Sequence, residues 1–221
     1  DRWSREEFGD KAAAAIADYY RAYFAAPGRY GPAEHQTLSD TAYQNYLRFI
    51  LVSIIKGKPE LSARFVRIAD WDAWLARVTQ AAREAEPRWA AARAKAGKAA
   101  ALIPPDRRPF FQSHVLTQLA IHEHSNRALL LGAESKIEAA IAELEQVLDA
   151  FKAAEYGPWK GFYEGDRFDN VRETLALARA AKAKLQGRPI PAGLRVEALP
   201  VDPYHWIKAY QGRRRVDVSA R

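Results

Sequence analysis

The amino-acid sequence predicts an all-α fold, a bundle of five or six long helices followed by an extended C-terminal arm. Apolar residues recur at three- and four-residue spacing over most of the chain, as at Phe8, Ala12 and Ile16, and this spacing places them on one helix face. Alanine, the residue with the highest intrinsic helix propensity, is abundant. A capping box also marks a helix start, because the side chains of Ser4 and Glu7 can satisfy free backbone N–H groups.

Three long helices are predicted in the first half of the chain. Pro27-Gly28 ends the first and Gly57-Lys58-Pro59 ends the second, because neither glycine nor proline suits a helix interior. A short helix over about 59–66 is expected next. Pro87 should kink or split the third long helix, and we expect the Ala-rich segment from about 89 to 101 to be exposed or frayed. The long helices span about 4–26, 39–56 and 70–101.

Three further helices are predicted in the second half. Asp106 is a suitable N-cap for a helix that runs to Leu131. A second capping box, at Ser135, starts the next helix. The last long helix ends before Gly187. Because Lys182 interrupts its apolar stripe, we expect this helix to pack only along its first half.

The sequence changes character after the last helix. Residues 1–187 are assigned to the helical bundle, and residues 188–221 to a Pro-rich extended arm or to the start of a following module. Leu194–Leu199 alternates apolar and polar side chains. This alternation predicts a short strand or an arm that lies on the bundle.

Composition excludes several classes of protein. The formal net charge is +7, but the excess is spread along the predicted helices, so we expect no nucleic-acid partner. No apolar run is long enough to predict a membrane span. The absence of cysteine excludes disulfides, thiolate metal sites and a cysteine nucleophile. The chain begins at Asp1 and contains no methionine, which indicates a processed product or a piece of a longer protein and favours a periplasmic or secreted location.

Residues 155–168, which we call the corner, join two predicted helices through glycines, a proline and several aromatic rings. A simple turn requires neither this length nor a tryptophan. In a functional interpretation, Trp159 and Tyr163 offer flat apolar faces to a ligand, and Asp166 offers a polar group. In a structural interpretation, the rings seal one end of the bundle and Asp166 caps the following helix.

A row of polar residues marks the helix that starts near Asp106. His114, Gln118, His122 and Asn126 lie four positions apart, so we expect them to share one side of that helix. One hypothesis is that they line a cleft for a hydroxylated ligand such as a sugar. The alternatives are a buried hydrogen-bond network and an exposed face.

The segment His122-Glu123-His124 invites a metal interpretation, but histidines two apart on a helix point away from each other. Gln118 occupies the position four before His122 at which a second ligand would be needed. We therefore predict neither a metal site nor a cofactor. The sequence contains no Gly-rich phosphate loop and no Gly-x-Ser-x-Gly elbow. Carboxylates such as Glu164 have no spacing that identifies a catalytic pair, so catalytic residues stay unassigned.

Several motifs in this order resemble a known module. Trp3–Gly9 opens a helix with a Tyr-rich end, Pro109-Phe110-Phe111 opens a helix with His and Asn, and an Ala/Glu-rich helix leads into Tyr156–Tyr163. They resemble the helical-bundle module that follows the catalytic barrel in family 115 glycoside hydrolases, the α-glucuronidase family, and in related bacterial carbohydrate-active proteins. The scattered motifs cover about 3–186, and Pro158 departs from the lysine that the family tends to have.

The family's catalytic machinery lies mainly on a barrel domain that this chain lacks. The resemblance therefore implies a non-catalytic helical module of a carbohydrate-active bacterial protein, which shapes a glycan site or mediates assembly. Its partners would be a carbohydrate or other small polar ligand, a second copy of the chain, or the catalytic domain of a parent chain. Two alternatives stay open: a free-standing bundle that binds a sugar-like small molecule, and a hydrolase with carboxylate or His acid–base chemistry.

Overall fold

Long amphipathic helices build the protein, which has an all-α fold. The computed structural model describes residues 2–29, 40–59, 62–63, 66–68, 70–157, 160–164 and 166–196. In this part of the chain, the helices and strands are α1 (Arg2–Phe8), α2 (Asp10–Ala25), α3 (Asp40–Lys56), β1 (Ser62–Ala63), β2 (Val66–Arg67), α4 (Trp71–Ala100), α5 (Arg108–Phe111), α6 (Gln118–Ala133), α7 (Ile137–Ala153) and α8 (Asp166–Leu185).

The helix α6 is central to the packing, since it contacts α3, α4 and α7. Around it, α2 packs on α1 and α4, while α8 packs on α3 and α7. Burying a large apolar side chain contributes about 1.5–3 kcal/mol of transfer free energy. The largest fully buried side chains are those of Trp89, Tyr19, Tyr43, Phe8 and Phe49.

The first predicted helix is divided in two at Gly9. This residue has a φ of 82°, a left-handed value that favours glycine, and it separates α1 from α2. Because α1 already begins at Arg2, Ser4 lies inside it and does not form the predicted capping box. The second predicted capping box is also wrong. Ser135 has a φ of 59°, and the residue at the N-cap of α7 is Lys136, which makes no side-chain cap hydrogen bond.

The helix α4 begins where the sequence predicts, because the Asp70 side chain accepts a hydrogen bond from the backbone N–H of Ala73 at 3.0 Å. Contrary to the expected split, α4 continues through Pro87 to Ala100. The expectation of an exposed or frayed end is also wrong. Small side chains there pack into the bundle, and Ala92, Ala96 and Ala99 are fully buried.

The short helix expected over 59–66 is not formed in the residues described there. Ser62–Ala63 instead pairs antiparallel with Val66–Arg67, with Ser62 opposite Arg67. The two strands of this ladder are each two residues long. A residue whose backbone is extended in a ladder cannot also be helical, so the expectation is wrong for these four residues.

The helix predicted from Asp106 is irregular near its start. A 3-10 turn precedes α5, and the π-helical segment Gln112–Thr117 lies between α5 and α6. The helix runs past its expected end, so Gly132 lies inside α6. A Cβ atom at Gly132 would be 2.3 Å from Cδ1 of Leu47, so the missing side chain allows α6 to approach α3 closely.

The helix α8 is buried beyond its first half. The prediction that it packs only along that half, which was based on Lys182, is therefore wrong. Ala180 and Ala181 are fully buried, and the Lys182 ammonium pairs with Glu138. Residues 188–196 contain neither helix nor strand, and Ile190 packs against the core. The rest of the predicted arm, 197–221, lies outside the described residues. None of the described helices combines the length and the apolar character that crossing a membrane requires.

Candidate functional site

The π-helical segment Gln112–Thr117 receives two hydrogen bonds from α2. The Tyr19 hydroxyl donates to the Val115 carbonyl at 3.2 Å, and the Tyr20 hydroxyl donates to the His114 carbonyl at 3.5 Å. Burial raises the pKa of Tyr20 to about 12 and raises the pKa of Tyr19 well above its usual value. Both hydroxyls are therefore protonated donors at neutral pH. Because π-helical turns occur frequently at functional sites, this segment is one centre of the candidate site.

His114 lies within the π-helical segment and is half-buried. Its ring stacks on Phe110, with centroids 4.0 Å apart and ring planes at 24°. Burial lowers the pKa of His114, although the Phe110 backbone and the Glu7 carboxylate act in the opposite direction. The imidazole is therefore neutral at pH 7 and can both donate and accept hydrogen bonds.

Gln118 connects the polar row to the corner. Its Nε2 donates a hydrogen bond to the Tyr163 hydroxyl at 3.0 Å, across 45 positions of sequence. Gln118 is half-buried, while Tyr163 is only 2% exposed. Two groups of candidate residues that the sequence presented separately are therefore in direct contact.

The described part of the corner contains one buried aromatic side chain, Tyr163, and one exposed aromatic side chain, Phe162. Tyr163 stacks on Phe151 of α7, with centroids 5.0 Å apart and planes at 14°, so this ring packs into the bundle. The neighbouring Phe162 is 45% exposed. Trp159 lies outside the described residues. Asp166 is the first residue of α8, but its side chain is also outside the described part of the chain.

His122 lies among aromatic rings contributed by three other helices. It stacks on Trp89, with centroids 5.3 Å apart, and meets Tyr23 edge-to-face at 5.3 Å. Tyr43 lies at 6.3 Å, and its hydroxyl accepts a hydrogen bond from the Trp89 indole N–H at 3.3 Å. Such surroundings are typical of a packed core side chain.

Asn126 is fully buried and ties α6 to α4. Its Nδ2 donates a hydrogen bond to the Ala82 carbonyl at 2.9 Å. Gln44 of α3 similarly donates to Ser125 at 3.5 Å. This end of the row is therefore part of a buried polar network between helices, which was one of the alternatives.

The four residues of the polar row do not all meet the same neighbour. The His114 ring stacks on Phe110 of α5 and Gln118 bonds to Tyr163 of the corner, whereas His122 and Asn126 both contact α4. In an α-helix each residue turns about 100°, so every four-residue step overshoots a full turn by about 40° and the row winds around the helix. Ligand binding by these residues stays a prediction.

A comparison of the chain with protein-family models, with curated proteins and with solved structures finds no match. Its function therefore has to be inferred from the residues themselves. The family resemblance stated above remains a hypothesis.

Three contacts of α6 side chains with charged partners were not predicted. The carboxylate of Glu123, which is 2% exposed, pairs with Arg127 at 3.0 Å and also with Arg93. Nδ1 of His124 lies 2.6 Å from Oε2 of Glu143 on α7. Arg93 and Glu143 are distant in sequence from their partners, so spacing alone does not reveal these contacts, whereas Glu123 and Arg127 are four apart and could have been found from their spacing. Within the described ranges, no group of three or more His, Asp or Glu side chains is placed to hold a metal ion.

An open cavity of about 360 Å³ lies between the start of α7 and the end of α8. The ammonium groups of its two lysines are already paired, Lys136 with Glu134 at 2.8 Å and Lys182 with Glu138. The cavity therefore offers little unbalanced charge to a ligand. It is lined by Ser135, Lys136, Ile137, Glu138, Ala139, Lys182, Leu185 and Gln186.

Proposed function

We propose that the protein is a non-catalytic helical module of a carbohydrate-active bacterial protein and that its corner shapes a glycan site. The observation that carries the proposal is the hydrogen bond from Gln118 to Tyr163. It fixes the corner, where the resemblance to the family 115 module is most distinctive, to the central helix of the bundle.

The surroundings of Tyr163 support a rigid corner. Its ring stacks on Phe151 of α7, and its hydroxyl is held by α6. The next ring, Phe162, meets Tyr163 edge-to-face with centroids 5.1 Å apart and is 45% exposed. An exposed ring on a fixed backbone loses little conformational entropy when a ligand binds, and this favours recognition.

The polar residues near Phe162 in sequence include a lysine, which suits a sugar with a negative charge. Lys160 is exposed two positions before the ring, and Glu155 and Tyr156 are half-buried at the beginning of the corner. A sugar ring has an apolar C–H face that can lie against an aromatic side chain, and its hydroxyl groups both donate and accept hydrogen bonds. An ammonium group would additionally favour the carboxylate of a uronic acid.

A structural role for the buried polar groups supports the non-catalytic part of the proposal. Asn126 bonds to a backbone carbonyl, Glu123 is engaged by two arginines, and His122 is packed among rings. A general acid or base must reach a substrate proton at hydrogen-bonding distance. The observed partners of these groups are instead part of the helix packing.

The test is isothermal titration of the chain with xylo-oligosaccharides that carry a glucuronic acid branch. We expect binding without turnover, and we expect Phe162→Ala to weaken it at least tenfold. Leu185→Ala removes another exposed apolar side chain, 58% exposed on α8, and should leave the affinity unchanged. Equal affinities for the parent chain and Phe162→Ala, or no binding by any of them, would reject the proposal.

A further inference from the structure

Four basic side chains lie along one side of α4, and we call them the cationic row. Each residue of an α-helix adds a rotation of about 100°, so Arg77 and Lys95, 18 positions apart, point in nearly the same direction. Arg88 differs from them by about 20°, and Lys98 lies about 60° from Lys95. At about 1.5 Å per residue, the row is about 30 Å long. Its members are Arg77, Arg88, Lys95 and Lys98.

The cationic row is not neutralised by the side chains that the structure describes. None of its four members forms an ion pair with a described carboxylate. Arg83 and Arg93, each five positions from Arg88, lie about 140° around the helix from it. These two arginines are paired, with Glu134 at the end of α6 and with Glu123 of α6. The unbalanced positive charge of α4 is therefore concentrated on the side away from α6.

Arg88 is half-buried within the cationic row. The Nε and Nη2 atoms of its guanidinium group are shielded from solvent, and neither has a hydrogen-bond partner in the described part of the chain. A cation that has lost contact with water attracts an anion more strongly, because the local dielectric constant is lower. The Glu84 carboxylate lies one turn before Arg88 and accepts a hydrogen bond from Gln80 at 2.8 Å. Four cations and this carboxylate leave a net charge of +3 along the row.

The residues beside the cationic row exclude several kinds of partner. Its exposed neighbours on α4 include Ala91, Ala94 and Gly97, and none of the exposed large apolar side chains of the described residues lies between 77 and 98. The core of a protein–protein interface is apolar, and a site for single-stranded nucleic acid presents aromatic rings. A helix at a membrane surface inserts an apolar face, whereas the apolar side of α4 is buried in the bundle.

The number and spacing of the charges distinguish among polyanions. The cationic row has about one cation per 10 Å, whereas double-stranded DNA carries one negative charge per about 1.7 Å of its axis. Proteins that bind DNA through its backbone contact about 6–10 phosphates. Four cations with a carboxylate among them are too few for such a surface. A polysaccharide with neutral sugars between its carboxylates has a lower charge density, and its neutral sugars can lie against small side chains.

We infer that the cationic row of α4 binds an acidic polysaccharide whose carboxylates are separated by neutral sugars. The charge of the row provides the attraction, and the small exposed side chains allow the polymer to approach the helix. This inference goes beyond the proposed function, because it concerns a different helix and a longer polymer and does not require the corner.

The experiment is isothermal titration of the full chain with polygalacturonate in which half of the carboxylates are methyl-esterified. We expect binding in about 50 mM salt that weakens in about 200 mM salt, because salt screens the charges. The fully esterified polymer is neutral and should not bind. The double variant Arg77→Gln/Lys95→Gln should lose at least tenfold in affinity. The matched control Lys152→Gln/Arg179→Gln also removes two positive charges, from cations that are already paired on α7 and α8, and should change the affinity less than about twofold.

Circular dichroism should show that both double variants are folded like the parent chain. Equal losses of affinity in the two double variants would show that net charge, and not the cationic row, determines binding. The inference is also overturned if the half-esterified polymer does not bind, or if the folded Arg77→Gln/Lys95→Gln variant binds it as tightly as the parent chain. Tighter binding of the parent chain to duplex DNA or to vesicles that contain phosphatidylserine, in the same buffer, would identify a different partner and reject the inference.

Phe162→Ala separates this inference from the proposed function. This variant removes an exposed ring of the corner and should bind the half-esterified polymer as tightly as the parent chain does. The titration with xylo-oligosaccharides that carry a glucuronic acid branch tests the corner alone. A failure of the cationic row therefore leaves the proposed function standing, and a failure of the corner leaves the cationic row standing.

Discussion

The side-chain amide of Gln118 donates a hydrogen bond to the hydroxyl of Tyr163, and the 3.0 Å contact joins the central helix to the corner. Tyr163 is nearly fully buried, and the contact gives its hydroxyl a partner within the bundle. The contact links the packing of α6 to the position of the exposed Phe162. A variant that removes this contact therefore tests the stability of the corner, and a variant that removes the Phe162 ring tests its ligand binding.

Tyr163→Phe should destabilise the fold by about 1 kcal/mol, because it removes one hydrogen bond and leaves the Gln118 amide half-buried without it. The measurement is the free energy of unfolding from urea titrations. Tyr156→Phe is the matched control, since Tyr156 is half-buried in the same corner, and it should change the free energy by less. Equal effects of the two variants would contradict a specific role for the contact.

Gly132→Ala should destabilise the protein by about 1–3 kcal/mol, the usual cost of forcing extra volume into a packed core. Its Cβ would lie 2.3 Å from Leu47, so α6 and α3 would have to separate. Gly97→Ala is the control within another helix, because a Cβ there meets nothing within 4 Å. That variant should gain about 0.5–1 kcal/mol through helix propensity. Thermal unfolding of both variants measures the difference between their stabilities. A Gly132→Ala chain more stable than the parent would disprove the close approach of α6 to α3.

Glu123→Gln should cost about 2 kcal/mol, because a buried carboxylate that receives charged hydrogen bonds is replaced by a neutral amide. Arg93 and Arg127 would each lose an ion pair, although Arg127 keeps its pair with Glu86 at 3.3 Å. The control is Glu145→Gln, which removes an exposed pair with Arg179 and should cost less than about 1 kcal/mol. Urea unfolding in low and high salt measures both, and only the exposed pair should weaken strongly with salt. A Glu123→Gln chain as stable as the parent would refute the structural role of this carboxylate.

His114 should make folding sensitive to acid. Its pKa is lowered in the folded state from an ordinary value of 6.5, so folding favours the neutral imidazole. This contribution is fully present above the unfolded pKa and is lost as pH falls below it. An NMR titration of the His114 ring should therefore give a midpoint below 6.5, and His114→Phe should flatten the acid side of the stability profile. A midpoint at or above the ordinary value would contradict the burial of the ring.

The helices were largely predictable because their signals are local. Asp70 was predicted to start α4, and its side chain does accept the capping hydrogen bond. The division at Gly9 and the π-helical segment were not predicted. A glycine can be tolerated inside a helix, and the residues of the π-helical segment carry no distinctive local pattern, so tertiary packing decides both. The burial of the alanines late in α4 was not predicted for the same reason, because whether a small side chain is buried depends on how the helices pack.

The sequence selected residues of the candidate site, but it did not predict how they are arranged. Gln118 and Tyr163 were both selected from the sequence, yet their contact spans 45 positions and is set by how α6 and α7 pack. The contact between Trp3 and Tyr20 was missed for a related reason. Tyr20 and Phe24 are four apart on one helix, but Trp3 reaches Tyr20 only because the chain turns at Gly9.

The π-helical segment also constrains which changes of chain length the protein tolerates. A π-helical turn holds one residue more than an α-helical turn. Deleting one residue from Gln112–Thr117 would allow a regular helix to form, and the residues before the deletion would keep nearly their present direction relative to α6, because a π-helical turn and an α-helical turn each complete about one rotation. The carbonyls of Val115 and His114, which Tyr19 and Tyr20 now reach, lie within the altered turn, so the deletion would act on these two hydrogen bonds. The extra residue is thus accommodated locally and does not turn one half of the long helix relative to the other.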